Sequence, residues 1–382
     1  MTAALMRAMG DFDLAEELVQ EALLEAIQHW PKTGIPDKPG AWLFTTARRK
    51  AIDQARRDAR YRSKLLLLQA SAMSVDSAEG DDRLRLIFTC CHPALSREAQ
   101  LALTLRAVAG LTTAEIARAF ITSEATIAQR IVRAKRKIVD AAIPYRIPQD
   151  ADLGERLQEV LSVLYLMFNE GYLATGGEAA TRRDLAEDAA WLAGLLVRLM
   201  PGEAEALGLL ALMRLHLARS DARFEADGSL VLLQHQDRRR WDRERIASAT
   251  ELLERAATIR RPGPYQLQAA IAASHSEAPS WEQTDWNEIV ALYDALLVFT
   301  PSPVVRLNRA VALRQGAGAS AALAEVDATA PQLEGYYLFH ATRADLLREI
   351  GREAEARAAL ERALKLTQNP AERSLLQRRL AG

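Results

Sequence analysis

The sequence has only two cysteines in 382 residues, and they stand next to each other at positions 90 and 91. Adjacent cysteines are poor disulfide partners, which excludes a secreted scaffold held together by disulfide bonds. No apolar run approaches the roughly 18 residues of a membrane span. The first residues also lack the basic segment and the long apolar stretch of an export signal. These absences predict a cytoplasmic protein with no membrane partner.

The sequence also lacks the short motifs that carry catalysis. It contains no GxxxxGK[ST] phosphate loop, no HExxH zinc motif and no GxSxG nucleophile turn. Cys90, Cys91 and His92 are too few ligands for zinc, and no CxxC pair accompanies them, so we expect buried side chains at a helix end. The sequence therefore predicts neither an enzyme nor a cofactor or metal site.

A net charge of −1 argues at first against a nucleic-acid partner, but the charge is unevenly distributed. Residues 1–64 carry +2, residues 65–82 carry −4 and residues 83–140 carry +6. Residues 150–382 carry −6. A basic front part joined to an acidic back part predicts a polyanion partner for the front part alone.

Ala, Leu, Arg and Glu dominate, and apolar residues recur every three or four positions, which predicts an all-α fold. The small, acidic residues 69–82 and the two prolines within residues 143–152 mark breaks. We therefore predict a first domain at 1–64, a linker at 65–82, a second domain at 83–142 and a helical extension at 150–382. Residues 229–237 follow an Asp-Gly turn and predict a strand pair, the one exception to the helical pattern.

The end of the extension contains an internal repeat with a period of 34 residues. The matched pairs are Ala310 with Ala344, Leu313 with Leu347, Ala322 with Ala356, and Val326 with Leu360. This is the period of tetratricopeptide repeats, in which small residues let paired helices pack closely. Gly351 is expected at the turn between two such helices, and Pro370 after the second. A plain helical bundle with chance similarity remains the alternative.

Residues 13–30 have the spacing of one amphipathic helix. Its predicted buried side consists of Leu14, Leu18, Val19, Ala22, Leu23 and Ile27. Asp13, Glu17, Glu21 and Glu25 recur every fourth residue and therefore stack along one edge. Like charges at this spacing mildly destabilise a helix, so the stripe is either a solvated face or a docking edge for a basic partner.

A loop with three prolines, residues 31–40, joins this helix to a basic one. Residues 41–64 predict a buried stripe made of Trp42, Leu43, Ala47, Ile52 and Ala55. Eight basic residues accompany it: Arg48, Arg49, Lys50, Arg56, Arg57, Arg60, Arg62 and Lys64. A stiff loop, an aromatic ring and a basic helix together suit the binding of phosphates and of an unstacked base.

Residues 96–138 predict a helix-turn-helix. Ser96 is expected to cap a first helix that Gly110 ends, and Thr112 with Glu115 to form a capping box on the next. A third helix is expected to begin near Ser123. Its predicted buried residues are Ile127, Ile131 and Ala134. Its exposed side has small residues at the start of the helix and cationic residues along its length, as entry into a DNA major groove requires.

These two domains in this order resemble a bacterial sigma factor of the extracytoplasmic-function (ECF) type. DLAEELVQEALLEAIQHW resembles sigma region 2.2, and WLFTTARRKAIDQARR resembles regions 2.3 and 2.4. LTTAEIARAFITSEATIAQRIVRAKRKI resembles region 4.2. The segments FTCCHPAL and LYLMFNEGY and the terminal repeats resemble the group with a tetratricopeptide-like extension.

The resemblance implies a function in transcription initiation. It also implies two partners, promoter DNA and the core RNA polymerase. The implied contacts with the core polymerase are with its β′ clamp helices and its β flap. Residues implied in core binding are Asp13, Glu16, Glu17, Gln20 and Glu21. Residues implied at the −10 element, with the loop 35–42, are Trp42, Arg48, Arg49, Lys50, Arg56 and Arg57. Residues implied at the −35 element are Ala128, Gln129, Arg130, Arg133 and Lys137. Many family members have Asn at the position of Arg49, which favours a phosphate contact here.

Other interpretations stay open at this point. The front part could be a DNA-binding regulator independent of polymerase, or the extension a peptide-binding scaffold. Tyr165, Asn169, Glu170 and Tyr172 lie in a segment that either lines a pocket or ends a packed helix. The basic residues around Trp241 either contact nucleic acid or pair with acidic neighbours. We favour the second interpretation, pairing with acidic neighbours. We expect the acidic extension to regulate, through contact with one or both DNA-binding domains.

Overall fold

A computed structural model describes residues 5–6, 12–57, 79–120, 122–172, 179–225, 229–367 and 369–381. These residues form helices joined by turns and loops, which confirms the all-α prediction. They divide into two compact units, Met1–Val163 and Leu164–Gly382. Within the described ranges, no helix combines the length and apolar character needed to cross a bilayer.

The described residues of the first unit include the following helices, the last of which ends in the second unit. Their bounds are α1 Phe12–Thr33, α2 Pro39–Arg57, α3 Glu79–Cys90, α4 Arg97–Thr104, α5 Thr113–Ala119, α6 Glu124–Asp140 and α7 Asp150–Tyr172. Helix α4 continues into a π-helical turn, Leu105–Ala109. Helix α3 begins inside the predicted linker 65–82, where Asp82 is already buried; predicted linker residues 65–78 lie outside the described residues.

Helices α1 and α2 pack against each other along stripes of small and apolar residues. Leu14, Leu18 and Ala22 of α1 are buried, as predicted, and so is Ala47 of α2. The prediction of the buried side was wrong for two residues, since Leu23 is 37 % exposed and Ile27 is 69 % exposed. Helix α2 covers only part of the apolar surface of α1. The uncovered apolar residues form a strip that is exposed to solvent beside the acidic edge of the helix.

The second unit begins with the end of α7 and consists of paired helices. Their bounds are α8 Ala179–Leu199, α9 Ala204–Leu217, α10 Arg243–Thr258, α11 Pro264–Glu277, α12 Trp286–Phe299, α13 Pro303–Ala317, α14 Ala319–Asp327, α15 Ala330–Leu333, α16 Tyr337–Glu349, α17 Glu353–Leu366 and α18 Pro370–Ala381. Residues 229–237 were predicted as a strand pair, and the prediction was wrong, because they form no strand. An isolated bridge joins Phe224 to Leu230, and Leu233–His235 forms a 3₁₀ turn.

The predicted 34-residue repeat appears directly in the helix bounds. Helices α13 and α16 start 34 residues apart, and so do α14 and α17. The matched residues Ala310, Ala322, Ala344 and Ala356 are all fully or almost fully buried. Gly351 has a φ of 77° in the turn between α16 and α17, a backbone conformation that favours glycine. The periodic alanines are therefore the contact surfaces of stacked helix pairs.

Candidate nucleic-acid and polymerase interface

The helix-turn-helix forms with the caps that the sequence predicts. The Ser96 hydroxyl accepts the Ala99 N–H at 3.4 Å at the start of α4. Gly110 ends the π-helical turn with a φ of 81°. The Thr112 N–H donates to Glu115 Oε2 at 2.7 Å, and the Glu115 N–H donates to Thr112 Oγ1 at 3.2 Å. This reciprocal capping box fixes where α5 begins.

Helix α6 separates a buried face from an exposed one. Ser123 caps it, accepting the Thr126 N–H at 3.1 Å. Its buried residues are Ile127, Ile131, Ala134 and Ile138. Of the residues implied at the −35 element, Ala128, Gln129, Arg133 and Lys137 are exposed and Arg130 is half-buried. The small residues lie toward the start of the helix and the cations along it, an arrangement that a major groove admits.

Helix α2 and the loop before it carry the residues implied at the −10 element. The Trp42 ring is half-buried and meets the Trp30 ring edge to face, with centroids 5.5 Å apart. Arg48 is half-buried and Arg49 is exposed. Arg56 and Arg57 belong to α2 by their backbone, and their side chains lie outside the described residues. The structure thus places an aromatic residue next to an exposed arginine-bearing face.

Lys50 is directed toward the acidic helix. Its Nζ lies 3.3 Å from Glu21 Oε2 and 3.4 Å from Glu25 Oε2. Burial acts to lower the pKa of Lys50, but hydrogen bonds and the charges of Glu21 and Glu25 outweigh it, and the pKa is raised. Lys50 therefore ties α2 to α1 and neutralises the rear half of the predicted acidic stripe.

The residues implied in core binding are accessible to different degrees. Asp13, Glu17 and Gln20 are exposed, whereas Glu16 and Glu21 are half-buried. Sequence reasoning missed two cations that meet this edge, Lys135 of α6 and Arg106 of the π-helical turn. Lys135 Nζ lies 2.7 Å from Asp13 Oδ1 and 2.6 Å from Glu16 Oε2, and Arg106 Nε lies 2.9 Å from Glu16 Oε1. No local pattern signals these pairs, because they join residues about 90 to 120 positions apart.

The two cysteines are buried at the end of α3, as the sequence predicts. Cys91 Sγ lies 3.5 Å from Thr104 Oγ1. Burial raises the pKa of the Cys91 thiol to about 12, and it raises the pKa of Cys90 as well. Across the described part of the chain, no three His, Cys, Asp or Glu side chains are placed to hold a metal ion. Both thiols pack as small apolar groups.

Two further segments singled out in the sequence have packing roles in the second unit. Tyr172 stacks on Phe168 with centroids 5.3 Å apart, and the Arg223 guanidinium lies 3.8 Å above its ring. Trp241 is 3 % exposed and lies beneath Arg238. Arg245 pairs with Glu187 at 2.8 Å. The basic segment around Trp241 is thus held by intramolecular contacts, in line with the interpretation favoured above.

The second unit encloses a groove of about 770 Å³ between its stacked helices. Trp281, Trp286 and Tyr293 contribute aromatic walls. Arg314 pairs with Glu349 at 2.5 Å and Arg379 with Asp345 at 3.1 Å along the same groove. The volume is within the range of sites that hold small molecules or a few residues of a peptide.

Comparison with known proteins agrees with this architecture. The family model of sigma-70 region 2 matches residues 1–61, and that of sigma-70 region 4 matches residues 85–138. The ECF RNA polymerase sigma factor SigL of Mycobacterium tuberculosis is 34 % identical over 137 residues, covering 35 % of this chain and 77 % of SigL. The chain belongs to the ECF sigma factors. Its function is that of a sigma factor in transcription initiation, and its two sigma domains imply core RNA polymerase and promoter DNA as partners.

The ECF sigma factor SigK of Mycobacterium ulcerans is 29 % identical over 150 residues, covering 36 % of this chain and 78 % of SigK. The extension also has matches of its own and in full-length relatives. Residues 156–257 match a family of unknown function, DUF6596. The uncharacterized protein R00370 of Rhizobium meliloti strain 1021 is 46 % identical over 387 residues, covering 99 % of this chain and 92 % of that protein. This ECF sigma factor therefore shares its whole length, extension included, with R00370.

Proposed function

We propose that α6 reads the −35 element in the major groove. The observation that supports this most strongly is the division of α6 into a buried apolar face and an exposed face bearing Gln129, Arg133 and Lys137. Gln129 and Arg133 can each present two hydrogen-bond donors or acceptors to a base edge. Arg130 and Lys137 flank them and position the helix on phosphates.

The face of α2 binds the −10 element in this proposal. Trp42 offers a ring for an unstacked base, and Arg48 and Arg49 neutralise phosphates of the opened strand, together with Arg56 and Arg57. Lys50 contributes by joining α2 to α1. The protein acts in the cytoplasm and performs no covalent chemistry of its own, since its residues only bind and position.

The acidic edge of α1 docks on basic residues of the β′ clamp helices of core polymerase. Asp13, Glu16, Glu17, Gln20 and Glu21 form this edge, and the exposed Leu24 and Ile27 beside it add apolar contact area. Region 4 contributes a second contact with the core, through the β flap. An edge that combines carboxylates with exposed apolar side chains fits a partner that is cationic and partly apolar.

Charge reversal tests the docking edge. Glu17→Lys, alone and with Glu21→Lys, is expected to abolish co-elution of the full chain with core polymerase in size-exclusion chromatography. Glu155→Lys on α7 introduces the same charge change at another exposed site and should leave binding intact. Core binding that survives the double reversal would contradict the assignment.

The extension regulates initiation. Its net charge of −6 opposes the basic front part, and its groove offers a site for a ligand that would report a signal. Arg156 and Glu159 of α7 contact Phe88 O and Arg97 in the first unit, so a truncation should keep residues 1–163. We expect that chain to bind core polymerase and to differ from the full chain in promoter-directed transcription. Equal transcription by both chains would exclude regulation by the extension.

A further inference from the structure

Three arginines of the second unit are placed near one another without a carboxylate to balance them. Arg219 follows α9 and is only 7 % exposed, while Arg223 and Arg238 are half-buried. Among the residues that the structure describes, none of the three forms an ion pair. Glu282 acts on Arg238 through its charge, but it is exposed and does not pair with it. Because guanidinium groups keep their protons and buried charges are normally paired, this arrangement requires an explanation.

Two histidines connect these arginines into one group, which we call the arginine cluster. Arg219 Nη2 lies 2.9 Å from His216 Nδ1, and Arg238 Nη1 donates to His275 O at 2.6 Å. Burial lowers the pKa of His216 well below its ordinary value, and the charges of Arg219 and Arg223 lower it further. The charges of Arg219 and Arg238 act in the same direction on His275. Both rings are therefore neutral near pH 7, and the positive charge of the cluster belongs to the arginines.

Three nitrogen atoms of the cluster are buried without a hydrogen-bond partner among the described residues. They are Arg219 Nε, Arg238 Nη2 and His275 Nδ1. More than nine-tenths of Arg219 is buried, so its Nε calls for a partner inside the protein. An anion with several acceptor oxygens would supply that partner and balance the charge of the cluster at the same time.

The cluster adjoins the aromatic end of the groove in the second unit. His275 contributes to the wall of the groove. Its ring stacks on Trp281 with centroids 6.0 Å apart and meets Trp286 edge to face at 5.3 Å. The two indoles also contact each other, at 4.5 Å. A ligand in the groove can thus place an apolar part against the indoles and a charged part beside His275.

We infer that the arginine cluster binds a phosphate group carried by a small molecule whose apolar part lies in the groove. Guanidinium groups match a phosphate through paired N–H donors. A phosphate monoester carries about −1.5 to −2 charges at pH 7, which balances three arginines better than a single carboxylate does. Such a ligand would be the signal that the extension reports, and this role alone rests on the proposed function above.

The test measures binding to the full chain with three probes: inorganic phosphate, phenyl phosphate and benzoate. Calorimetric titration up to about 20 mM, with potassium chloride of equal ionic strength as the reference, gives the affinities. Thermal unfolding in the same solutions reports the stabilisation that binding confers. We expect phenyl phosphate to bind at least about tenfold more tightly than benzoate, and also more tightly than inorganic phosphate, because only phenyl phosphate combines both parts.

Substitution of Arg219 separates binding from packing. Arg219→Met replaces an unpaired buried charge with an apolar side chain of similar length, so it should abolish binding and leave the unliganded chain at least as stable. Arg219→Lys keeps the charge but loses the paired donors, and should weaken binding at least about tenfold. Arg214→Met is the matched control, because Arg214 is half-buried in α9 and donates to Ser248 Oγ at 3.1 Å, outside the cluster. It should bind phenyl phosphate like the unmodified sequence.

The remaining outcomes contradict the inference in distinct ways. Neither phosphate probe binding beyond the chloride reference would overturn it, and so would binding that persists in Arg219→Met. If Arg219→Met fails to fold, Arg219→Lys decides, since unchanged affinity would exclude the cluster as the site. Benzoate binding as tightly as phenyl phosphate would refute the phosphate assignment, and equal affinity for inorganic and phenyl phosphate would refute the contribution of the groove. Failure of the regulatory role is detected separately, by equal transcription from residues 1–163 and the full chain.

Discussion

The indole rings of Trp30 and Trp42 meet edge to face, with centroids 5.5 Å apart and an interplanar angle of 62°. Trp30 lies near the end of α1, and Trp42 lies in the first turn of α2, so the pair closes the proline-containing loop between the two helices. His29 also contacts Trp42, at a centroid distance of 6.3 Å. Packing on one side leaves Trp42 half-buried and holds its ring in a defined orientation.

Trp42→Ala should weaken binding of the opened −10 strand. Loss of one stacking ring costs about 1–3 kcal/mol in single-strand affinity. Titration of the holoenzyme with a fluorescent single-stranded −10 oligonucleotide measures this. Trp42→Phe keeps a ring and should retain most of the affinity. If the alanine variant binds the oligonucleotide as tightly as the unmodified protein, Trp42 serves only to pack against Trp30.

Arg133 and Lys137 should differ in what they contribute at the −35 element. Arg133→Ala should cost about 1–3 kcal/mol on the preferred sequence and relax discrimination at one base pair. Lys137→Ala should weaken all sequences alike and reduce the slope of log affinity against log salt by about one. Holoenzyme binding to a set of −35 variants at several salt concentrations checks both. Equal losses on every sequence for Arg133→Ala would assign it to phosphate contacts.

Gly208 should be indispensable to the packing of the second unit. A Cβ at this position would lie 2.7 Å from the backbone nitrogen of Gln266, so α9 and α11 approach each other almost at backbone contact. Gly208→Ala should therefore lower the free energy of unfolding by about 1–3 kcal/mol. Gly194→Ala is the control, because its nearest atom is Arg198 Nη1 at 3.6 Å; greater helix propensity should leave it neutral or stabilise it by up to about 1 kcal/mol. Chemical denaturation followed by circular dichroism compares them.

The second unit should lose stability in mild acid because of two half-buried histidines. Burial, with the nearby charges of Arg219 and Arg238, lowers the pKa of His275 to about 4. The unfolded chain takes up a proton at this residue at pH about 6.5, so the contribution to stability falls as the pH drops from about 6.5 to about 4, by at most about 1.4 kcal/mol per pH unit.

Unfolding at a series of pH values measures this loss. His275→Phe preserves the stacking on Trp281 and should flatten the dependence in that window. The dependence should not vanish, because burial also lowers the pKa of His216 well below its ordinary value. His235→Gln alters an exposed histidine and should leave the curve unchanged. An identical acid response in His275→Phe would show that His275 is not a source of it.

Much of the fold is local and could be predicted. Ser96, Ser123 and the Thr112–Glu115 box act over three residues, so their sequence spacing is sufficient to place the helix starts. The 34-residue period can also be detected in the sequence, since each repeat presents the same small residues to its neighbour. The strand prediction at 229–237 was wrong because a short run of apolar residues fits a half-buried connection equally well when no partner strand is available.

The sequence by itself determined the two sigma domains, the exposed face of α6 and the repeat helices, because each follows from side-chain periodicity and capping within a few residues. Only the tertiary structure decided which carboxylates of α1 are paired with cations of other helices. Lys50 neutralises Glu21 and Glu25, while Lys135 and Arg106 take Asp13 and Glu16. Those partners are fixed by how separate helices pack. The stripe of like charges in α1 is therefore a site of contact between helices of the first unit as well as the surface that we propose for core polymerase.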